Sequence, residues 1–182
     1  MEIREAIEAD AQKMIDLFQK LERETSFMLM EPEEKKVSVE DQQKRINFFS
    51  SSTDNLMAVA VVEGEIVGLI VASTGTVNRN RHSAYMVIGV QKASWGKGIG
   101  SALIEFMEAW AITESIHRVE FTVVEGNSAA RALYKKYGYA EEGLKRDSLK
   151  INGSFVNEIY MSKLFKTEQV QAVNAKKTAP IL

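Results

Sequence analysis

Residues 96–101 read Gly-Lys-Gly-Ile-Gly-Ser, with glycines at three alternate positions, Gly96, Gly98 and Gly100. They stand between an apolar strand-like run, residues 84–90 (Ala-Tyr-Met-Val-Ile-Gly-Val), and an amphipathic helical segment that begins near Ile99. Glycine leaves the backbone bare, so a ligand can approach it closely. The first amides of a helix have no intrahelical partner and sit at the positive end of its dipole. Together these features make a cradle for phosphate groups. A plain structural turn is the bland alternative, and three such glycines ahead of a helix favour phosphate binding over it.

The spacing excludes two common phosphate sites. A P-loop requires G-x-x-x-x-G-K-[S/T]; Gly96 is followed by Lys97, but no Ser or Thr comes next and no glycine stands five positions earlier. A dinucleotide fingerprint requires G-x-G-x-x-G, and after Gly96-x-Gly98 the last position holds Ser101. That fingerprint also belongs after the first strand of a βαβ unit, whereas this loop lies past the middle of the chain.

A second segment sharpens the reading. Residues 127–139 run Asn-Ser-Ala-Ala-Arg-Ala-Leu-Tyr-Lys-Lys-Tyr-Gly-Tyr. This resembles the N-x-x-A-x-x-L-Y-x-x-x-G-[F/Y] signature of the GCN5-related N-acetyltransferases, and the loop at 96–100 is similar to that family's acyl-CoA-binding loop. The two motifs occur in the family's order, about thirty residues apart, with a helix and a strand between them. One departure is Trp95, where the family usually carries Arg or Gln.

The resemblance implies transfer of an acetyl group from acetyl-CoA to a primary amine, on a small metabolite or a peptide N-terminus, by direct attack in a ternary complex and without a metal. It places the backbone of residues 86–90, including Ile88 and Val90, along the pantetheine arm. It places Trp95, Gly96, Lys97, Gly98, Ile99, Gly100 and Ser101 around the pyrophosphate. It also implies a bulge splaying the strand at 84–90 from its neighbour, for which Gly89 is suited; simple packing of Gly89 against another residue is the alternative. Tyr134 is implied as the general acid that protonates the leaving thiolate, although a core tyrosine would look the same in sequence. Asn127 caps its helix and, by resemblance, touches the cofactor.

The general base is harder to read. On the strand at 118–124, Glu120, Thr122 and Val124 share a face, because side chains alternate along a strand. Several relatives carry a glutamate at the place of Thr122, and Glu120 is the fallback, with a salt-bridged surface role as its alternative. Glu31 and Glu125 are weaker candidates. Phe27, Met28 and Met30 are expected to shape the acceptor site; the alternatives are packing onto the core or a contact in a homodimer. The hairpin at 146–158 is similar to that of relatives acting on ribosomal-protein N-termini and polyamines. A rival reading is a non-catalytic acyl-CoA-binding or regulatory module.

Composition bounds these readings. The chain of 182 residues is most simply one domain, 1–165, followed by a tail at 166–182 without periodicity that is expected to fray. The absence of cysteine excludes a disulfide scaffold, a thiolate metal site and a cysteine nucleophile. With 23 basic and 25 acidic residues there is no electrostatic footprint for nucleic acid. No apolar run approaches a membrane span, and the charged start lacks a secretory pattern. A cytoplasmic globule is expected.

The elements that must position these groups follow from periodicity. Strands are expected at 2–6, 56–62, 66–74, 84–90, 118–124, 139–150 and 155–164, with hairpin turns at Glu63-Gly64 and Asn152-Gly153. Helices are expected from Asp10 as N-cap to about Glu24, from a Ser38–Asp41 capping box, from Ile99 with Leu103, Phe106 and Trp110 on one face, and from Asn127 to Gly138. This order gives an α/β fold of the α+β type, the acyl-CoA N-acyltransferase fold: a mixed, largely antiparallel sheet of about seven strands flanked by helices.

Overall fold

The computed structural model describes residues 1–166, so the expected tail falls outside the described residues apart from its first position. The strands are β1 (Glu2–Glu5), β2 (Asn55–Val62), β3 (Glu65–Thr74), β4 (Ser83–Val90), β5 (Arg118–Val124), β6 (Ala140–Ile151) and β7 (Ser154–Leu164). The helices are α1 (Ala11–Glu24), α2 (Val39–Ser50), α3 (Ile99–Thr113) and α4 (Ser128–Lys136). All seven strands join one sheet in the order β1-β2-β3-β4-β5-β7-β6. Every neighbouring pair is antiparallel except β4 and β5. Parallel neighbours need a long crossover, which α3 supplies.

Local chemistry sets most of these boundaries. Both tight hairpins carry positive φ at their two central residues, Glu63 (53°) with Gly64 (82°) and Asn152 (50°) with Gly153 (82°), as a type I′ turn requires. Ser38 caps α2 by accepting the Asp41 amide at 3.1 Å. Asp10 differs from expectation. It stands at the N-cap of α1 but makes no capping bond with its side chain. Its carboxylate instead accepts the Ile7 amide and a two-pronged pair from Arg4 at 2.6 and 2.9 Å. The stronger charged partner wins the carboxylate, and it ties β1 to α1.

The helices divide between the two faces of the sheet. On one face α3 and α4 close a core containing Met86, Leu103, Met107, Phe121, Tyr134 and Met161. The buried stripe of α3 is Ile99, Leu103, Ile104, Met107 and Ala111, with Phe106 and Trp110 only partly buried at its margin. This corrects the stripe expected through Phe106 and Trp110. A helix apolar on most sides leaves its sequence unable to choose among faces, and the sheet chooses. On the other face α1 and α2 pack Met14, Leu17, Leu21 and Ile46 onto Met57, Val59, Leu69 and Val71 of β2 and β3. That second core contains no residue of β5, β6 or β7. Half of this face is therefore left open, with Tyr85, Val87 and Tyr160 each about half exposed. Among the described residues no helix is long and apolar enough to cross a membrane.

Candidate active site

β4 and β5 pair over only three residues, Ser83–Arg118, Ala84–Val119 and Tyr85–Glu120, and then separate. β4 nevertheless continues to Val90, paired regularly with β3 as far as Gly68–Val90. Five residues of β4, Met86 to Val90, thus border a wedge in the sheet about 17 Å long at the usual rise per residue. The splay expected here is present, but a bulge at Gly89 is not, since the β3–β4 register runs without a shift. Gly89 is needed for packing. A Cβ placed on it would lie 2.6 Å from Leu21 Cδ1 of α1. The wedge arises because β5 diverges to pair with β7 along its whole length.

The glycine loop lies at the open end of this wedge, after a single 3-10 turn, Lys92–Ser94, that follows Val90. Gly96 (φ 73°) and Gly98 (φ 81°) both adopt left-handed backbone, and a Cβ on either would meet nothing within 4 Å. Their outer surface is therefore free to receive a ligand. None of the amides from Gly96 to Ser101 has a hydrogen-bond partner among the described residues, and the first backbone bond of the helix is Ala102 to the Gly98 carbonyl. This is the geometry of an anion site at a helix N-terminus. Gly100 differs from the other two, because a Cβ there would come within 3.0 Å of Leu133 Cδ2 on α4. It brings α3 close to α4, so the three glycines divide between ligand access and helix packing. Trp95 is about half exposed, and its Nε1 donates to the Val90 carbonyl at 2.7 Å, fastening the loop to the end of β4.

Tyr134 lies beneath the sheet on α4 and is 7% exposed. Its ring sits 4.3 Å from Phe121 and 6.1 Å from Tyr139, centroid to centroid. Its hydroxyl has no hydrogen-bond partner among the described residues. Burial pushes this phenol above its ordinary pKa, and the neighbouring Tyr85 adds to the effect. Tyr134 therefore stays protonated at working pH, able to donate a proton. Asn127 caps α4 by accepting the Ala130 amide at 3.2 Å.

Glu120 points to the open half-face, but its carboxylate accepts from Arg118 Nε at 2.6 Å, and Arg118 also forks onto Glu142. The salt-bridged reading is the one its geometry fits. Glu125 accepts from Asn157, while Glu31 and Phe27 are exposed and Met28 packs onto the α1–α2 core. A carboxylate absent from the sequence reading is Glu158 of β7, buried and bonded to Thr122 Oγ1 at 2.5 Å. The available signal was period two along β7: Glu158 shares a face with Tyr160 and Ser162, a charged residue in a strand otherwise rich in apolar and neutral side chains. No cluster that could hold a metal occurs among the described residues.

A splayed sheet with an amide-lined loop at its open end defines an acyl-CoA-binding type of fold, and comparison with known proteins agrees. The model of the Acetyltransferase (GNAT) family matches residues 11–139, and the chain belongs to that family. It is 32% identical over 110 residues to an L-amino acid N-acetyltransferase of Escherichia coli strain K12, covering 58% of this chain. The match spans 66% of that relative's length, just under two thirds. A GNAT-family acetyltransferase from Streptococcus pneumoniae superposes with a TM-score of 0.87 at 28% identity, covering 91% of this chain and 99% of that one. A phosphinothricin acetyltransferase of Sinorhizobium meliloti, solved in complex with acetyl-CoA, has the same fold, with a TM-score of 0.79 at 18% identity over 90% of this chain and 88% of that one.

Proposed function

We propose that this chain is an acetyl-CoA-dependent N-acetyltransferase acting on a primary amine, borne by a small metabolite or a peptide N-terminus. The observation that carries the proposal is the wedge between β4 and β5, with unpaired amides at its open end and the Tyr134 ring packed on Phe121 of β5. The residues present fit the co-substrate. The left-handed glycines offer an uncovered backbone to a pyrophosphate, and the free edge of Met86 to Val90 is long enough for an extended amide-bearing arm to pair as an added strand. Family membership and the E. coli relative's activity support the same reading.

In this reading each group of the chain has a separate task. The amides of Gly96 to Ser101 and the edge of β4, including Ile88 and Val90, hold and orient the thioester donor. Asn127 fixes the start of α4 and so the position of Tyr134. Tyr134 gives its proton to the sulfur of the departing thiolate; burial keeps the phenol protonated until that charge develops beside it. With no cysteine in the chain, a cysteine acyl-enzyme is excluded, and direct attack by the amine is the simplest route. The amine approaches from the half-face that α1 and α2 leave open.

The test is thiol release from acetyl-CoA across a panel of primary amines, with wild type beside Tyr134→Phe. Release by wild type that falls far more in kcat than in CoA affinity on Tyr134→Phe is the expected outcome. Tight CoA binding without release for any amine would instead assign a binding module.

A further inference from the structure

On the open half-face, polar side chains from four strands touch one another in series. Tyr85 Oη of β4 lies 3.1 Å from Thr122 Oγ1 of β5. It also accepts the Thr122 amide at 3.3 Å, beyond the last paired residues of β4 and β5. Thr122 Oγ1 donates to Glu158 Oε1 of β7 at 2.5 Å, and Glu158 Oε2 accepts from Lys145 Nζ of β6 at 2.8 Å. A threonine hydroxyl has one proton, which here goes to Glu158, so Tyr85 must be the donor in its contact with Thr122. The series therefore has a direction: Tyr85 to Thr122 to Glu158. It begins where β4 and β5 part, with Tyr85 near enough to Tyr134 to push that phenol's pKa upward. It ends on a buried carboxylate.

We propose that Glu158 is the terminal proton acceptor for the attacking amine, reached through the hydroxyls of Tyr85 and Thr122; this rests on the acetyl-transfer reading. The nitrogen bonds to the acetyl carbon and releases its proton to Tyr85 Oη. The Tyr85 proton passes to Thr122 Oγ1, and the Thr122 proton passes to Glu158 Oε1. Glu158 ends neutral, and later returns its proton to water past the half-exposed Lys145. Burial alone would push the Glu158 carboxyl upward, but bonds from Lys145 and Thr122 outweigh it and keep the group ionised. A weakly basic carboxylate suffices, because the nitrogen becomes strongly acidic as its new bond forms. The charged group bonded to Glu158 is Lys145, and Tyr85 and Tyr160 lie around Lys145. Tyr85 and Thr122 act here as relays, and Glu158 acts through them.

The Thr122 hydroxyl gives a clean test, because Thr122→Val keeps the side chain's shape while Thr122→Ser keeps the hydroxyl. With an amine that wild type acetylates, Thr122→Val and Glu158→Gln are each expected to lower kcat about 100-fold, the usual scale for losing a proton acceptor. The KM for acetyl-CoA should stay unchanged, Thr122→Ser should recover most of the rate, and the double variant should be no worse than either single one. A Thr122→Val enzyme as fast as wild type, or a loss confined to the KM for acetyl-CoA, would overturn the relay. Should Glu158→Gln fail to fold, the two Thr122 variants decide alone. Absence of turnover by wild type with every amine overturns the acetyl-transfer reading and the relay with it, whereas active wild type with unaffected variants overturns only the relay.

Discussion

The glycine loop and the open half-face of β5–β7 flank the same wedge but are built from different materials. The loop offers backbone. Its amides are unpartnered, Gly96 and Gly98 carry left-handed φ, and its aromatic side chain, Trp95, is spent on the Val90 carbonyl. The half-face offers side chains, with Tyr85, Thr122, Glu158 and Lys145 linked in series and Arg118 joined to Glu120 and Glu142 beside them. The difference matches what each would recognise in the proposed reaction. A pyrophosphate is met by any row of N–H groups, whereas an amine that must lose a proton needs a particular acceptor. Backbone recognition fails when the conformation is lost; side-chain recognition fails when one atom is removed.

Perturbing the loop's conformation should give the largest effect. Gly98→Asp combines strain at φ 81° with a negative charge at the phosphate cradle, and CoA affinity by calorimetry is expected to fall at least about 100-fold. Gly100→Ala is the control within the same motif. It meets the flexible end of Leu133 and sits in helical backbone, so CoA affinity should hold and thermal stability should shift by no more than about 1 kcal/mol. Removing the Tyr134 hydroxyl ranks next: Tyr134→Phe is expected to lower kcat about 100-fold while the Kd for CoA stays nearly constant. Should affinity fall instead and turnover survive, Tyr134 would be a core residue alone.

Smaller effects sharpen the side-chain half of the comparison. Glu120→Gln removes one partner of a partly exposed ion pair, worth about 1 kcal/mol, and kcat should change by less than about threefold. A loss as deep as that expected for Glu158→Gln would reinstate Glu120 as the base. The smallest change is expected for Trp95→Arg, which adds a cation near the pyrophosphate but gives up the bond to Val90. CoA affinity should rise by no more than about fivefold, most visibly at low salt, because an exposed charge contact is weak and screened.

Features governed by neighbouring residues were legible in the sequence. The Glu63-Gly64 and Asn152-Gly153 turns, the Ser38 cap and the Asn127 cap each depend on residues within a few positions, and each forms as expected. Misreadings involve partners in a different element of the fold. Gly89 looked suited to a bulge, but Leu21 on α1 claims the space in front of it. Asp10 looked like an ordinary cap until Arg4 reached it across the β1–α1 corner. Glu158 carried no motif, because its significance depends on β7 lying beside β5, and hairpin order alone does not bring those strands together.

By itself the sequence determined that the chain has a mixed α/β fold with a glycine loop between a strand and a helix, because glycine spacing, helix caps and strand alternation act over short distances. It also supplied the second signature around Asn127 and Tyr134, and thus the family. Tertiary structure alone decided where the wedge opens, which glycine admits a ligand and which packs a helix, and which carboxylate faces the reaction. These are outcomes of which surfaces meet across the sheet. Side chains from β4, β5, β6 and β7 form one hydrogen-bonded series only after β5 turns from β4 to pair with β7.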